Sequence, residues 1–208
     1  MKSSMDSGLQ FLLLEAFAYL CGSIPFGLII SKIAKNIDIR EHGSHNIGST
    51  NVARTLGKKL GALVLLLDGL KAVVPLILTK YMYDGCRTAM AITTCVVILG
   101  HIFPVWLKFK GGKGVACLLF SLFVLDYRLG LVFLVSWLLL FALFRISALS
   151  ALSGTIMVLI FSFFISRVYF IMMLFLTLVI FLKHKENIKR LIKGEEFGFN
   201  NKKIGEKL

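Results

Sequence analysis

Residues 43–54 concentrate small polar side chains, glycine and one arginine between two strongly apolar segments. Gly43 and Gly48 allow the backbone to turn tightly and to approach a ligand closely. Short side chains supply hydrogen-bond donors, and the Arg54 guanidinium supplies a rigid fork of N–H groups. The short donors are Ser44, Asn46, Ser49, Thr50 and Asn51. This combination is typical of a phosphate-binding site, and the alternative is a flexible polar loop between two helices.

Two further polar stretches follow later in the chain. Gly111 and Gly112 precede Lys113 in a glycine-rich basic stretch, which suits a second phosphate contact or, alternatively, a plain basic loop. His184 and Asn187 are three residues apart, so a helix would place both on one face. The alternative for that segment is a solvated charged run after the last apolar stretch.

The composition predicts a membrane protein. The chain has 208 residues, is 57% hydrophobic and has a mean hydropathy of +0.84, which ordinary soluble domains do not reach. We therefore expect an all-α polytopic protein with a single domain over residues 1–208. The net charge of +13 comes from basic residues between the apolar runs, so no nucleic-acid partner is expected. The four cysteines lack paired spacing, so neither disulfides nor a metal site are expected.

Seven apolar runs predict seven transmembrane helices. They cover approximately residues 9–30, 61–81, 89–107, 115–125, 129–144, 148–166 and 168–182. Pro25 interrupts the first run, either as a simple kink or as broken backbone that lines a polar cavity. Asp68 and Lys71, three residues apart in the second run, can pair on one helix face. That pair is either a structural link between helices or part of a cavity.

The distribution of basic residues predicts the orientation. With seven spans, most of the 24 Lys and Arg residues fall on one side of the membrane, which the positive-inside rule makes cytoplasmic. The N-terminus is then outside and the C-terminus is cytoplasmic. All three polar stretches come to lie on the cytoplasmic face.

Common catalytic patterns are absent from the sequence. It contains no Gly-x-Ser-x-Gly elbow, no histidine followed five residues later by aspartate, and no Walker motif. What remains is a site for one or two phosphates at the membrane surface, beside an apolar interior able to hold an acyl chain. A small transporter or channel for an anionic metabolite is the alternative. Against it, no pair of segments repeats and the polar stretches lie on one face.

Six motifs, in order and with matching spacings, resemble the bacterial acyl-phosphate:glycerol-3-phosphate acyltransferases. They are Gly22-Ser-Ile-Pro25, Gly43-Ser-x-Asn-Ile-Gly-x-Thr-Asn-Val-x-Arg54, Asp68-x-x-Lys71, Gly100-His-x-Phe-Pro104, Phe109-Lys-Gly-Gly-Lys-Gly-Val115 and His184-x-x-Asn-Ile-x-Arg-Leu191. The resemblance implies a seven-helix enzyme of the bacterial inner membrane whose active site faces the cytoplasm. Such an enzyme transfers a fatty acyl group from acyl phosphate to the 1-position of glycerol 3-phosphate, the first committed step of phospholipid synthesis.

The resemblance also implies roles for individual residues. The catalytic set is Ser44, Arg54, Lys113, His184 and Asn187. The phosphate-binding set is Gly43, Ser44, Asn46, Gly48, Thr50, Asn51, Arg54, Gly111, Gly112 and Lys113. Gly194 and Glu196 match a Gly-x-Glu element of the family, whereas His45, Ser49 and Ala72 depart from its pattern. Residues 145–150 match only loosely, so no specific role is expected for Ser147 or Ser150.

The expected chemistry is direct transfer without an acyl-enzyme. Acyl phosphate is a mixed anhydride with a good leaving group, so the enzyme has mainly to align two substrates and neutralise charge on the departing phosphate. Either His184 or the substrate's own phosphate could take the hydroxyl proton. The expected partners are acyl phosphate, glycerol 3-phosphate and membrane lipids, with no cofactor and no obligatory protein partner.

Overall fold

The computed structural model describes residues 4–198, with side chains from residue 7 onward. Within this range the chain forms ten α-helices and no β-strand, so the predicted all-α class is confirmed. The α-helices are α1 (Ser4–Ser23), α2 (Phe26–Lys35), α3 (Ser49–Leu56), α4 (Lys58–Met82), α5 (Arg87–Ile102), α6 (Val115–Leu125), α7 (Tyr127–Phe144), α8 (Ser147–Ile165), α9 (Arg167–Lys183) and α10 (Lys185–Ile192). Short 3₁₀ helices occupy Ile39–Glu41 and Val105–Leu107.

Several helices are long and apolar enough to cross a membrane, so the chain is a multi-pass membrane protein. In the described part of the chain, five such segments are Ser7–Lys35, Lys58–Met82, Arg87–Leu107, Tyr127–Phe144 and Ser147–Ile165. The pair α9 and α10 makes a sixth if it is counted as one span, although the axis bends by 64° between them. Helix α6 has only 11 residues, against the roughly 20 needed for a full crossing. Length and composition thus give five or six spans where the sequence analysis counted seven.

The first span breaks where the sequence predicted. Helix α1 ends at Ser23 and α2 begins at Phe26, because Pro25 lacks an N–H and disfavours helical geometry before it. Lys71 Nζ donates to the freed carbonyl oxygen of Ile24 at 2.6 Å and to Asp68 Oδ1 at 2.7 Å. The predicted Asp68–Lys71 pair is therefore present, and Lys71 connects it to the break in the first span.

Small residues let helices α1 and α5 approach each other closely. A Cβ on Gly22 would overlap the Val97 carbonyl, and one on Gly100 would overlap the Tyr19 carbonyl. Helices α1 and α5 therefore approach backbone to backbone, as small residues permit in membranes. Elsewhere, large apolar side chains such as Phe133 fill the interior, while many leucines and phenylalanines on the outer surface are exposed. This arrangement suits lipid around the bundle and leaves the polar loops to form a site.

Candidate active site

A cavity of about 450 Å³ brings the three polar stretches together. Its polar lining includes residues of the 43–54 segment, Lys113, His184 and Asn187. Its apolar lining comes from α4, α6, α7 and α8. The apolar side chains are Ala62, Leu65, Val115, Ala116, Leu119, Phe133, Leu134, Trp137, Leu138, Ala148 and Ala151. The cavity thus joins cations and small polar groups to an apolar surface.

Asn51 fixes the shape of the loop that precedes α3. Its Oδ1 accepts the Ser44 N–H at 2.8 Å, and its Nδ2 donates to the carbonyl oxygens of His42 and Asn46, both at 2.9 Å, and of Ile39 at 3.2 Å. Because loop carbonyls already use the amide hydrogens, the geometry does not support the expectation that Asn51 donates to phosphate. We assign Asn51 to holding Ser44 and Asn46 in place.

Other residues of this segment line the cavity as predicted from the sequence. Ser44, Asn46, Gly48 and Thr50 all belong to its wall. Asn46 Oδ1 accepts the Gly48 N–H at 2.8 Å, an Asx turn that leads into α3. The Thr50 hydroxyl lies 3.0 Å from the Ser147 hydroxyl at the start of α8. The loop is therefore tied both to itself and to a distant helix.

Three glycines of the predicted phosphate-binding set lie outside the described cavity wall, namely Gly43, Gly111 and Gly112. Gly43 has φ of +59°, and a Cβ there would overlap Asn51 Oδ1. The N–H of Gly111 donates to the Ile102 carbonyl at 3.1 Å, and that of Gly112 to the His101 carbonyl at 3.0 Å.

The N–H contacts of Gly111 and Gly112 argue against direct phosphate binding by these two glycines, whereas phosphate binding by Gly43 stays a prediction. A Cβ on Gly112 would overlap the His101 ring, so glycine is required for the loop to pack against the end of α5. The glycines position the neighbouring polar side chains, Lys113 among them. The N–H groups of Gly111 and Gly112 are used in hydrogen bonds to backbone carbonyls of the protein.

Arg54 lies in the last turn of α3 and faces the cavity. Its Nε donates to the Gly198 carbonyl at 3.2 Å and its Nη2 to the Phe197 carbonyl at 3.1 Å. Burial lowers the pKa of Arg54, but a guanidinium stays charged at physiological pH. Its remaining N–H groups keep the capacity to bind an anion.

Lys113 is held by a side chain of α10. Its Nζ donates to Asn187 Oδ1 at 2.5 Å. Burial lowers the pKa of Lys113 to about 8, the Glu196 carboxylate counteracts that effect, and Arg190 and Arg54 add to it. The lysine is thus a buried cation beside other cations, an environment that a bound phosphate would stabilise.

His184 and Asn187 lie together on the cavity wall, as their spacing predicted. His184 Nδ1 is 2.8 Å from the Ile180 carbonyl oxygen. A carbonyl only accepts hydrogen bonds, so Nδ1 carries the hydrogen and Nε2 of the neutral ring holds a lone pair. Asn187 Nδ2 donates to Glu196 Oε1 at 2.7 Å. The same amide therefore connects Lys113 to a buried carboxylate.

Four residues of the site were not among the predicted catalytic or phosphate-binding residues, although part of a cavity was one of the two alternatives for Asp68. Glu196 is 1% exposed and its Oε2 accepts Arg190 Nε at 2.8 Å; its place in a Gly-x-Glu element was the signal. Asp68 and His101 also line the cavity, with His101 Nδ1 3.7 Å from Asp68 Oδ1. Ser147 left no signal, because its contact with Thr50 joins positions 97 residues apart.

The fold is a multi-pass helical bundle of a membrane protein. Its cavity combines arginine, lysine and small polar groups with an apolar wall, so the site suits a phosphorylated, partly apolar ligand. A family model described as glycerol-3-phosphate acyltransferase matches residues 12–194. The chain belongs to the glycerol-3-phosphate acyltransferase family and is an acyltransferase.

Individual relatives agree with that assignment. A glycerol-3-phosphate acyltransferase from Wolbachia sp. subsp. Brugia malayi is 47% identical over 88% of this chain and 95% of its own length. One from Pelagibacter ubique is 44% identical over 90% and 97% of the two chains. The crystal structure of PlsY, an integral membrane glycerol 3-phosphate acyltransferase in its glycerol 3-phosphate form, superposes with a TM-score of 0.87 at 37% identity, covering 91% of this chain and 95% of PlsY.

Proposed function

We propose that this chain transfers a fatty acyl group from acyl phosphate to the 1-hydroxyl of glycerol 3-phosphate. The products are lysophosphatidic acid and inorganic phosphate, which enter phospholipid synthesis. One observation carries the proposal: Arg54 and Lys113 share one cavity with the apolar wall of α4, α6, α7 and α8. Cations with small donors suit phosphate groups, and an apolar wall suits the acyl chain.

The reaction is a direct displacement. The glycerol hydroxyl oxygen attacks the acyl carbonyl carbon, the bond from that carbon to the phosphate oxygen breaks, and phosphate leaves with the electron pair. Arg54 and Lys113 stabilise the charge that develops on the leaving phosphate. Ser44 and Asn46 orient the substrates from the loop before α3, and Asn187 orients Lys113. No step requires a cofactor.

The hydroxyl proton has two candidate acceptors. His184 presents a lone pair on Nε2, because its Nδ1 is bound to the Ile180 carbonyl. The phosphate of the substrate is the other, since its second pKa is about 6 in water. The cations of the cavity reduce the basicity of that phosphate, and this favours His184.

A reconstituted assay tests the function. Protein purified in detergent and supplied with palmitoyl phosphate and glycerol 3-phosphate should release phosphate and form lysophosphatidic acid without any added protein. Omission of glycerol 3-phosphate is the control for hydrolysis. A transporter or channel would move an anion across vesicles and release no phosphate, so absence of turnover would overturn the proposal.

Two measurements test the mechanism. Radiolabelled acyl phosphate given alone should leave no label on the denatured protein, whereas an acyl group trapped on Ser44 would exclude direct transfer. His184→Ala should lower the rate about 10²–10⁴-fold if His184 is the general base. A smaller loss with an unchanged pH profile would assign that role to the substrate phosphate.

The orientation is part of the proposal. Seven crossings in the bacterial inner membrane, with α6 as a short crossing, place the N-terminus outside and the active site on the cytoplasmic face. Cys86 is exposed in the loop between α4 and α5, which this topology places outside. An impermeant thiol reagent should label intact cells through Cys86 and should fail in Cys86→Ser, while a C-terminal tag stays protected. Labelling of the tag would refute the orientation.

A further inference from the structure

The segment Glu196–Gly198 follows α10 and lies across the cationic side of the cavity; we term it the strap. Its carbonyl oxygens at Phe197 and Gly198 accept hydrogen bonds from Arg54 Nη2 and Nε. These two contacts join α3 to a segment about 144 positions later in the chain. Arg54 is therefore oriented by the tail and not by its own helix.

The Phe197 ring contacts two guanidinium groups. Its centroid is 5.9 Å from Arg54 Cζ and 5.3 Å from Arg190 Cζ, within the range of cation–π attraction. The ring attracts both guanidinium groups without adding a negative charge. Glu196, which pairs with Arg190, therefore remains the carboxylate that partly offsets the charge of Arg54.

The strap is anchored at its first residue. Glu196 is 1% exposed, and its two carboxylate oxygens accept hydrogen bonds from Asn187 Nδ2 at 2.7 Å and Arg190 Nε at 2.8 Å. Glu196 therefore ties the strap to α10, so that Phe197 and Gly198 follow in a fixed position. The anchor and the arginine clamp form one continuous set of contacts.

We propose that Phe197 is a positioning residue that aims the Arg54 guanidinium at the substrate phosphate. The inference rests on the proposed function, in which Arg54 binds phosphate. The strap takes Nε and one hydrogen of Nη2, which leaves three N–H hydrogens of this cavity-lining side chain for a phosphate. An arginine held in this way binds phosphate with less loss of side-chain entropy.

Single substitutions test the role of the ring. Phe197→Leu keeps apolar volume but removes the π face, and it should lower kcat/KM about 3–10-fold, in line with the strength of a partly desolvated cation–π contact. Phe197→Tyr keeps the π face and should restore activity. Phe103→Leu is the matched control, because Phe103 makes a cation–π contact with Lys183 at 4.9 Å and lies outside the set of cavity-lining residues among those described.

A double-mutant cycle separates positioning from general stabilisation. In an Arg54→Met background, Phe197→Leu should change kcat/KM less than twofold, because the cation that the strap orients is gone. Loss in both backgrounds, failure of Phe197→Tyr to restore activity, or a lower KM in Phe197→Leu would each overturn the proposal. Full activity of Arg54→Lys alone would instead refute the phosphate role of Arg54, so the two failures are distinguishable.

Discussion

Two groups of buried cations in this protein have opposite surroundings. Lys71 has Asp68 Oδ1 at 2.7 Å and the Ile24 carbonyl at 2.6 Å, with a side chain only 3% exposed. On the wall of the main cavity, Arg54 and Lys113 share the influence of one carboxylate, Glu196, which also pairs with the neighbouring Arg190 at 2.8 Å. The first group is neutralised by the protein, and the second carries excess positive charge.

Asp68 lines the same cavity as Arg54 and Lys113, so the difference separates a charge-balanced part of that cavity, tied to the first span, from a part with excess positive charge. Taking a charge out of water is costly unless a partner compensates for it. Lys71 has that partner within its own helix and anchors the break in the first span. The cations of the cavity are left partly uncompensated, so an anionic substrate lowers their energy on binding. Both groups contain basic side chains near the membrane, but only the second is prepared for a ligand.

Removal of Asp68 should give the largest effect on stability. Asp68→Asn leaves Lys71 buried without its counter-charge, which should lower the free energy of unfolding by about 3–5 kcal/mol. Thermal unfolding in detergent measures the change. Asp68→Asn combined with Lys71→Met should recover part of the loss, because the unpaired charge is then removed. A single variant as stable as the wild type would contradict the structural role of this pair.

Arg54→Lys should show the reverse pattern, with a large kinetic effect and little change in unfolding. Lysine keeps the charge but loses the fork that binds phosphate through two parallel N–H bonds. Activity should fall about 10–10²-fold, as expected for loss of one charge-assisted hydrogen bond. Steady-state kinetics and the unfolding temperature should be measured on the same preparation. If Arg54→Lys lowered the unfolding temperature as much as Asp68→Asn does, the distinction between the two groups of cations would be wrong.

Loss of the positive charge on Lys113 should weaken substrate binding at alkaline pH. Burial lowers its pKa to about 8, so its charge is lost as the pH rises through that value. The KM of the phosphate substrate should increase about fivefold between pH 8 and 9, as simple titration of one cation predicts.

The contribution of Lys113 to folding stability should instead increase as the pH rises. The folded pKa of Lys113 lies below the ordinary lysine value of 10.5, so between about pH 8 and 10.5 the unfolded chain binds the extra proton. The contribution of Lys113 to the free energy of unfolding therefore rises with pH. In Lys113→Arg both trends should disappear, because arginine does not titrate in this range. A KM that rises equally in this variant would assign the titration to another group.

The sequence predicted the features that depend on local spacing. Pro25 marked the break, and Asp68 and Lys71 paired at i, i+3. His184 and Asn187 line the same cavity, although His184 caps the bend between α9 and α10 and lies within neither helix. The convergence of the polar stretches also followed, because the expected topology places them at one end of the bundle. In contrast, the hydrogen-bond partners of Asn51, Gly111 and Gly112 depend on tertiary contacts. A polar or flexible residue type does not reveal whether its groups face a ligand or the protein.

Ser147 and Ser150 test whether a residue type alone reveals a contact with the site, and the expected effect is the smallest of those predicted. The Ser150 hydroxyl donates to the Ile146 carbonyl at 2.9 Å within its own helix and is fully buried, so its hydrogen bond is internal to α8. Ser147, one turn earlier, reaches the Thr50 hydroxyl at 3.0 Å and lines the cavity. Sequence spacing places both serines on one helix face and gives no reason to distinguish them.

Ser147→Ala should raise the KM of a phosphate substrate about 2–10-fold, which corresponds to loss of one neutral hydrogen bond. The reason is that Thr50 loses the contact that holds its hydroxyl at the cavity wall. Ser150→Ala should leave KM unchanged and alter only stability, since its partner is a carbonyl of the same helix. Kinetics of Ser147→Ala in a Thr50→Val background provide the check: the effect of Ser147→Ala should vanish there if the two hydroxyls act together. An equal rise of KM in Ser150→Ala would mean that the start of α8 influences the site through its packing and not through Thr50.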